Sequence, residues 1–181
     1  KDEEATKKLR KAHEDSERHI KKLSEDTKKV HEESDRHIRK VSKETEDEAR
    51  RIEKELRKLP DREELRDVMR RLKELLKTLR EENERVRKRS EDLLRELEKR
   101  NKEVADESRK LLRDVEEALE RGEVDEDTLE KIIEENKRLN DELAKENKEV
   151  IKENRKLNRE LEERNKEVID RMERILEETK R

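Results

Sequence analysis

Four histidines, His13, His19, His31 and His37, are the residues best able to do chemistry in this chain. An imidazole can exchange a proton near neutral pH, bind a metal or relay a hydrogen bond. Spacing narrows those options. His13 and His19 stand six positions apart, as do His31 and His37, which is about 240° around a helix at ~100° per residue. Neither pair has the i, i+4 spacing of a helical chelate. Cysteine is absent, which removes thiolate sites and disulfides alike. No nucleophile, base and orienting group fall together, and no loop is long enough to build a pocket. The expectation is therefore no catalysis, no metal, no cofactor and no small-molecule substrate. Hydrogen bonding is what remains for the histidines.

They do not recur alone. Ala12-His13, Ser16, His19-Ile20, Leu23-Ser24 and Thr27 return eighteen positions later as Val30-His31, Ser34, His37-Ile38, Val41-Ser42 and Thr45. The same shift carries Leu75-Leu76, Leu79, Asn83, Val86 and Ser90 to Leu93-Leu94, Leu97, Asn101, Val104 and Ser108. It also carries Asn136, Leu139, Asn140, Leu143, Asn147 and Val150-Ile151 to Asn154, Leu157, Asn158, Leu161, Asn165 and Val168-Ile169. Eighteen residues make five turns at about 3.6 per turn, so the stripe does not drift and no supercoil is required. The period lies inside continuous helices, which excludes the helix-turn-helix unit of a solenoid.

The elements that position these residues are marked by one proline and one glycine. Charged residues make up 60% of the chain and apolar residues 25%, with no aromatic side chain. Scattered, that composition would leave the chain disordered; concentrated in stripes, it predicts helices. Pro60 ends the first helix at Leu59, and Asp61 reads as an N-cap with Glu64 completing a capping box. Gly122 stands where a left-handed residue closes a helix. Asp125 is the next N-cap, with Val124 and Leu129 spaced as a hydrophobic staple. Acidic Asp2, Glu3 and Glu4 at one end and Lys180-Arg181 at the other suit the helix dipole. The fold class is all-α: a single-chain antiparallel up-down-up three-helix bundle forming one domain over 1–181. Its helices run at about 2–58, 62–121 and 126–180, each straight and about 85 Å long at ~1.5 Å per residue.

On the helical wheel, Ser16, Ser34, Thr27 and Thr45 face inward in the first helix, with the histidines on either edge of the stripe. Ser90 and Ser108, flanked by Asn83 and Asn101, do so in the second. Asn136, Asn147, Asn154 and Asn165 face inward in the third. If the first turn centres near residue 60, facing positions in the first two helices have numbers summing to about 120. His19 then faces Asn101, His37 faces Asn83, and His13 and His31 lie level with Ser108 and Ser90. An offset of about 125 brings Asn140 and Asn147 near His19, and Asn158 and Asn165 near His37. The expected site is thus two copies of one buried network of His, Ser and Asn. Apolar layers at Ala49, Ile52, Leu65, Leu119, Leu129 and Met172 seal it. A buried polar group left unpaired costs ~1–3 kcal/mol, so such layers penalise wrong pairings.

Lys and Arg number 53 against 56 Asp and Glu, interleaved throughout. That leaves no basic stripe for nucleic acid, no membrane span and no signal-peptide pattern at the start, and it leaves the compartment open. No helix carries a second apolar face, so a monomer is expected, with helix exchange or partner chains also compatible. The eighteen-residue layers, the inward Asn, Ser and His set, the Leu-Pro-Asp and Gly-Glu-Val-Asp turns and the aromatic-free surface resemble de novo designed straight helical bundles with modular buried hydrogen-bond networks. The likeness covers the whole chain and implies a scaffold whose networks choose helix pairing, or the parent of a split heterotrimer. The alternative reading is a pH-responsive switch or oligomer, in which protonation of buried neutral histidines destabilises the fold as pH falls.

Overall fold

Apolar residues recurring on one face per helix let a heavily charged chain bury what it has. The computed structural model describes residues 2–181, with side chains from Glu3 onward. Lys1, the first residue of the expected domain, and the Asp2 carboxylate expected to offset the helix dipole lie outside the described residues. Three helices follow one another, α1 (Asp2–Arg57), α2 (Glu63–Glu120) and α3 (Glu126–Lys180), packed as a three-helix bundle with no strand among the described residues.

Each turn has a local cause. After α1, the backbone N–H groups of Lys58 and Leu59 donate to the carbonyls of Glu55 and Leu56 at 3.3 and 3.1 Å. The extended stretch therefore begins only at Pro60. The expected cap at Asp61 is not what opens α2. The Asp61 carboxylate is held by the Arg66 guanidinium at 3.3 Å, and the first helical carbonyl is that of Arg62, which accepts from Arg66 N–H at 3.2 Å. An exposed cation within reach competes with the backbone for that carboxylate.

The second turn follows its expectation closely. Gly122 N–H donates to Leu119 O and Glu123 N–H to Ala118 O, both at 3.0 Å, the paired bonds of a Schellman ending. Gly122 holds φ at 71°. Asp125 then accepts from Thr128 N–H at 2.7 Å, a bond that holds its carboxyl below the ordinary value. Val124 packs against the cluster containing buried Leu129. A Cβ at Gly122 would meet no atom within 4 Å, so Gly122→Ala isolates the backbone cost of a left-handed residue. Chemical denaturation should show a loss of about 1 kcal/mol.

The chain divides into two units, the first of residues 1–31 with 93–152, the second of residues 32–92 with 153–181. Within the first, Ser16 meets Ser108 and Thr27 meets Asn101, while Ser108 meets Asn136 and Asn101 meets Asn147, so numbers fall along α2 as they rise along its two neighbours and it runs antiparallel to both. Its apolar core is a cluster of Ala5, Leu9, Leu112, Val115, Leu119 and Leu129 and a smaller one of Ile20, Val104 and Leu143. Within the second, Ser34 meets Ser90 and Glu46 meets Arg80, while Ser90 meets Asn154 and Asn83 meets Asn165, giving the same directions. There Ile52, Leu56, Leu72 and Met172 lie among the buried side chains of the larger cluster, and Ile38, Val41 and Leu161 form the smaller.

Candidate functional site

Each unit contains two polar layers, and the layers are of two kinds. In the first unit one layer begins at Asn140, whose Nδ2 donates to Ser16 Oγ at 2.8 Å. Ser16 and Ser108 hydroxyls are 2.8 Å apart, and Ser108 Oγ donates to Asn136 Oδ1 at 2.7 Å. Because Ser108 spends its one proton on Asn136, Ser16 must donate to Ser108. The hydrogen bonds therefore run in one direction, from α3 through α1 and α2 back to α3, and each polarises the next. The second unit repeats the circuit. Asn158 Nδ2 donates to Ser34 Oγ at 3.0 Å, Ser34 lies 3.0 Å from Ser90, and Ser90 donates to Asn154 Oδ1.

The other kind of layer is an amide pair. Asn101 Nδ2 donates to Asn147 Oδ1 at 3.0 Å and Asn147 Nδ2 to Asn101 Oδ1 at 2.7 Å. Asn147 also reaches the Leu143 carbonyl at 2.8 Å, and Thr27 Oγ1 lies 2.9 Å from Asn147 Oδ1. In the second unit Asn83 and Asn165 exchange bonds of 3.0 and 2.8 Å, and Asn165 reaches the Leu161 carbonyl at 2.6 Å. Ser16, Ser34, Ser90, Ser108, Asn101, Asn136, Asn140, Asn147, Asn154 and Asn165 are buried, while Asn83 and Asn158 are half-buried. Thr27 was legible as an inward residue, but its place in the amide layer was not. Its hydroxyl is also 2.8 Å from the Leu23 carbonyl.

The histidines correct the sequence expectation. None of the four is fully buried. His13 Nε2 lies 3.5 Å from Glu17, His31 Nδ1 3.2 Å from Glu98 and His37 Nε2 3.4 Å from Glu162. They belong to the rim because each sits about 60° off the inward serine at ~100° per residue, where His13 meets Glu17 of its own helix and His31 and His37 meet carboxylates of α2 and α3. These three rings therefore lie beside carboxylates at the rim instead of inside the buried Ser and Asn layers. His19 differs. Its Nε2 is buried without a hydrogen-bond partner, and the position corresponding to Glu162 one repeat earlier is Ala144.

The register is corrected as well. His19 does not face Asn101. Asn101 Nδ2 is 3.5 Å from Thr27 Oγ1, and Thr27 lies eight residues beyond His19, about 12 Å at ~1.5 Å per residue. Asn83 is likewise engaged with Asn165 rather than His37, and Ser108 and Ser90 with Ser16 and Ser34 rather than His13 and His31. Two effects move the facing numbers. The turn is asymmetric, since residues 58 and 59 still close onto α1. Helical side chains also lean toward their own N-terminus, so each contact is made by a residue about one position further on, which adds about two to an antiparallel sum.

Two buried amide atoms remain unpaired, Asn140 Oδ1 in the first unit and Asn154 Nδ2 in the second, each costing ~1–3 kcal/mol. Around the layers, Arg80 holds Glu46 through two bonds of 2.6 and 2.7 Å, and Arg109 holds Glu17 at 2.8 Å. Those hydrogen bonds are the main reason both carboxyls lie below their ordinary value of 4.5. A depressed carboxyl contributes stability that is present above its unfolded value and lost as pH falls through the folded one. The melting temperature is accordingly expected to fall as the pH drops below about 4.5, as circular dichroism would show. Among the described residues no group of three or more His, Asp or Glu is arranged for a metal ion, and no helix is long and apolar enough to cross a membrane. Comparison with protein-family models, curated proteins and solved structures gives no match.

Proposed function

We propose that this chain is a structural scaffold of designed origin, without catalytic activity, whose buried Ser, Thr and Asn layers select helix pairing and register. The observation that carries this reading is the one-directional circuit from Asn140 through Ser16 and Ser108 to Asn136. It visits all three helices and forms only at one relative height. Asn is a poor residue inside a helix, and an amide inside a core is worth less than a leucine of similar size. Its repetition at an interval of eighteen residues is accounted for by specificity, the best-attested use of buried polar groups. On this reading the chain folds as one domain and a monomer, and a bundle cut at its turns would reassemble as three strands.

The test replaces the layer residues by apolar ones of similar size, Asn by Leu, Ser by Ala and Thr by Val. The variant is expected to melt higher than the parent and to spread over several oligomeric states in light scattering, at a concentration where the parent is one monomeric species. A variant that stays a single monomer would remove the specificity role.

A further inference from the structure

Within α1, the two halves are unequally attached. In residues 3–31 the buried apolar side chains are Ala5, Leu9 and Ile20, while Ala12, Leu23 and Val30 are half-buried. In residues 32–57 they are Ile38, Val41, Ala49, Ile52 and Leu56, of which the last three are wholly inaccessible. Burial of apolar area is the main term that holds a helix to its neighbours, so the first half has the weaker hold.

Two further observations point the same way. The seam between this half of α1 and α2 is open in two places, a groove of about 660 Å³ bordered by His13, Ile20, Ser24, Ala105 and Arg109, and one of about 190 Å³ by Leu9 and Leu112. Ala105 is the small residue that leaves the wider one, since its counterpart one repeat away is Arg87. On the α3 side, His19 Nε2 and Asn140 Oδ1 are buried without partners, and Ala144 stands where the other repeat has the Glu162 that pairs with His37. The α2–α3 contact, by contrast, is complete without α1. The Asn101–Asn147 amide pair and the Ser108–Asn136 bond lie entirely within it.

From this we infer that residues 3–31 form a releasable strap, opening as a unit from a hairpin of α2 and α3 that stays folded. The opening is a sub-global event of the kind that sets local exchange rates. It bares a groove whose chemistry is that of the strap itself, small and branched apolar positions interrupted by hydroxyls at Ser16 and Thr27. The inference does not depend on the scaffold reading, because it concerns only which contacts are weakest.

Native-state amide exchange of the full chain by mass spectrometry, over a series of low denaturant concentrations, tests it. Amides of residues 10–27 should exchange at least about tenfold faster than those of 38–52 and with a weaker denaturant dependence. Leu9→Ala should speed the first set by roughly tenfold or more and leave the second unchanged. If that variant is too unstable to handle, Ile20→Val should give the same pattern in smaller measure. Equal rates and equal denaturant dependence in both halves, release of 38–52 first, or a Leu9→Ala effect spread evenly over α1 would each overturn the strap.

Discussion

Asn147→Leu is expected to lower unfolding free energy by about 2 kcal/mol, and Asn101→Leu in the same background to restore it to the parent value or above. Asn147 is 2% exposed and Asn101 1%, so neither can turn to water when its partner is lost. The single change removes both the Asn147 Oδ1 that accepts from Asn101 Nδ2 and the Asn147 Nδ2 that donates to Asn101 Oδ1, and an orphaned buried group costs ~1–3 kcal/mol. Part of that is offset by the apolar surface the leucine buries, at ~25 cal/mol per Å². The second leucine removes the orphan and keeps the added burial. Urea titration of the parent, both single variants and the double should therefore give a coupling energy of about 2 kcal/mol. Additive effects would mean that the two amides are not bonded to each other in solution.

The largest loss from a single side chain is expected at Ile52. It is wholly inaccessible and lies in the cluster with Leu56, Leu72, Met172 and Leu176. Truncation removes its transfer free energy and leaves a cavity between long helices that cannot close on it, so Ile52→Ala should cost about 2–5 kcal/mol. The same change at half-buried Val30 should cost well under half as much. Comparable losses at the two positions in thermal or urea unfolding would contradict the layer assignment.

How far the sequence carries the fold is seen at particular residues. Pro60 and Gly122 mark the two turns because each has a backbone property no other residue shares, and the inward phase of Asn101, Asn147, Ser16 and Ser108 follows from helical periodicity alone. Asp61 was not legible in the same way, because its carboxylate has two competing partners and the nearer one, Arg66, lies on the next turn. The histidines were not legible for a related reason. A residue at the edge of a stripe turns inward or outward according to what the neighbouring helix presents, and Glu98 and Glu162 lie on other helices. Register needed both the lean of helical side chains and the form of the first turn. An error of four in a facing sum is one helical turn, enough to exchange histidine for serine as the partner of Ser108.

Selection of register by the polar layers is tested most directly by trapping neighbours. Glu17 and Arg109 touch at 2.8 Å across α1 and α2; Arg113 lies one turn further on nearly the same face of α2. Cysteines are introduced as Glu17→Cys with Arg109→Cys, or as Glu17→Cys with Arg113→Cys, and treated with a short thiol cross-linker. With the layers intact, the first pair should be joined rapidly and the second hardly at all. With the layers replaced by Leu, Ala and Val, both pairs should be joined at similar rates. If the layer-free chain discriminates between the pairs as sharply as the parent does, the register is set by the turns and the apolar core, and the polar layers do not select it.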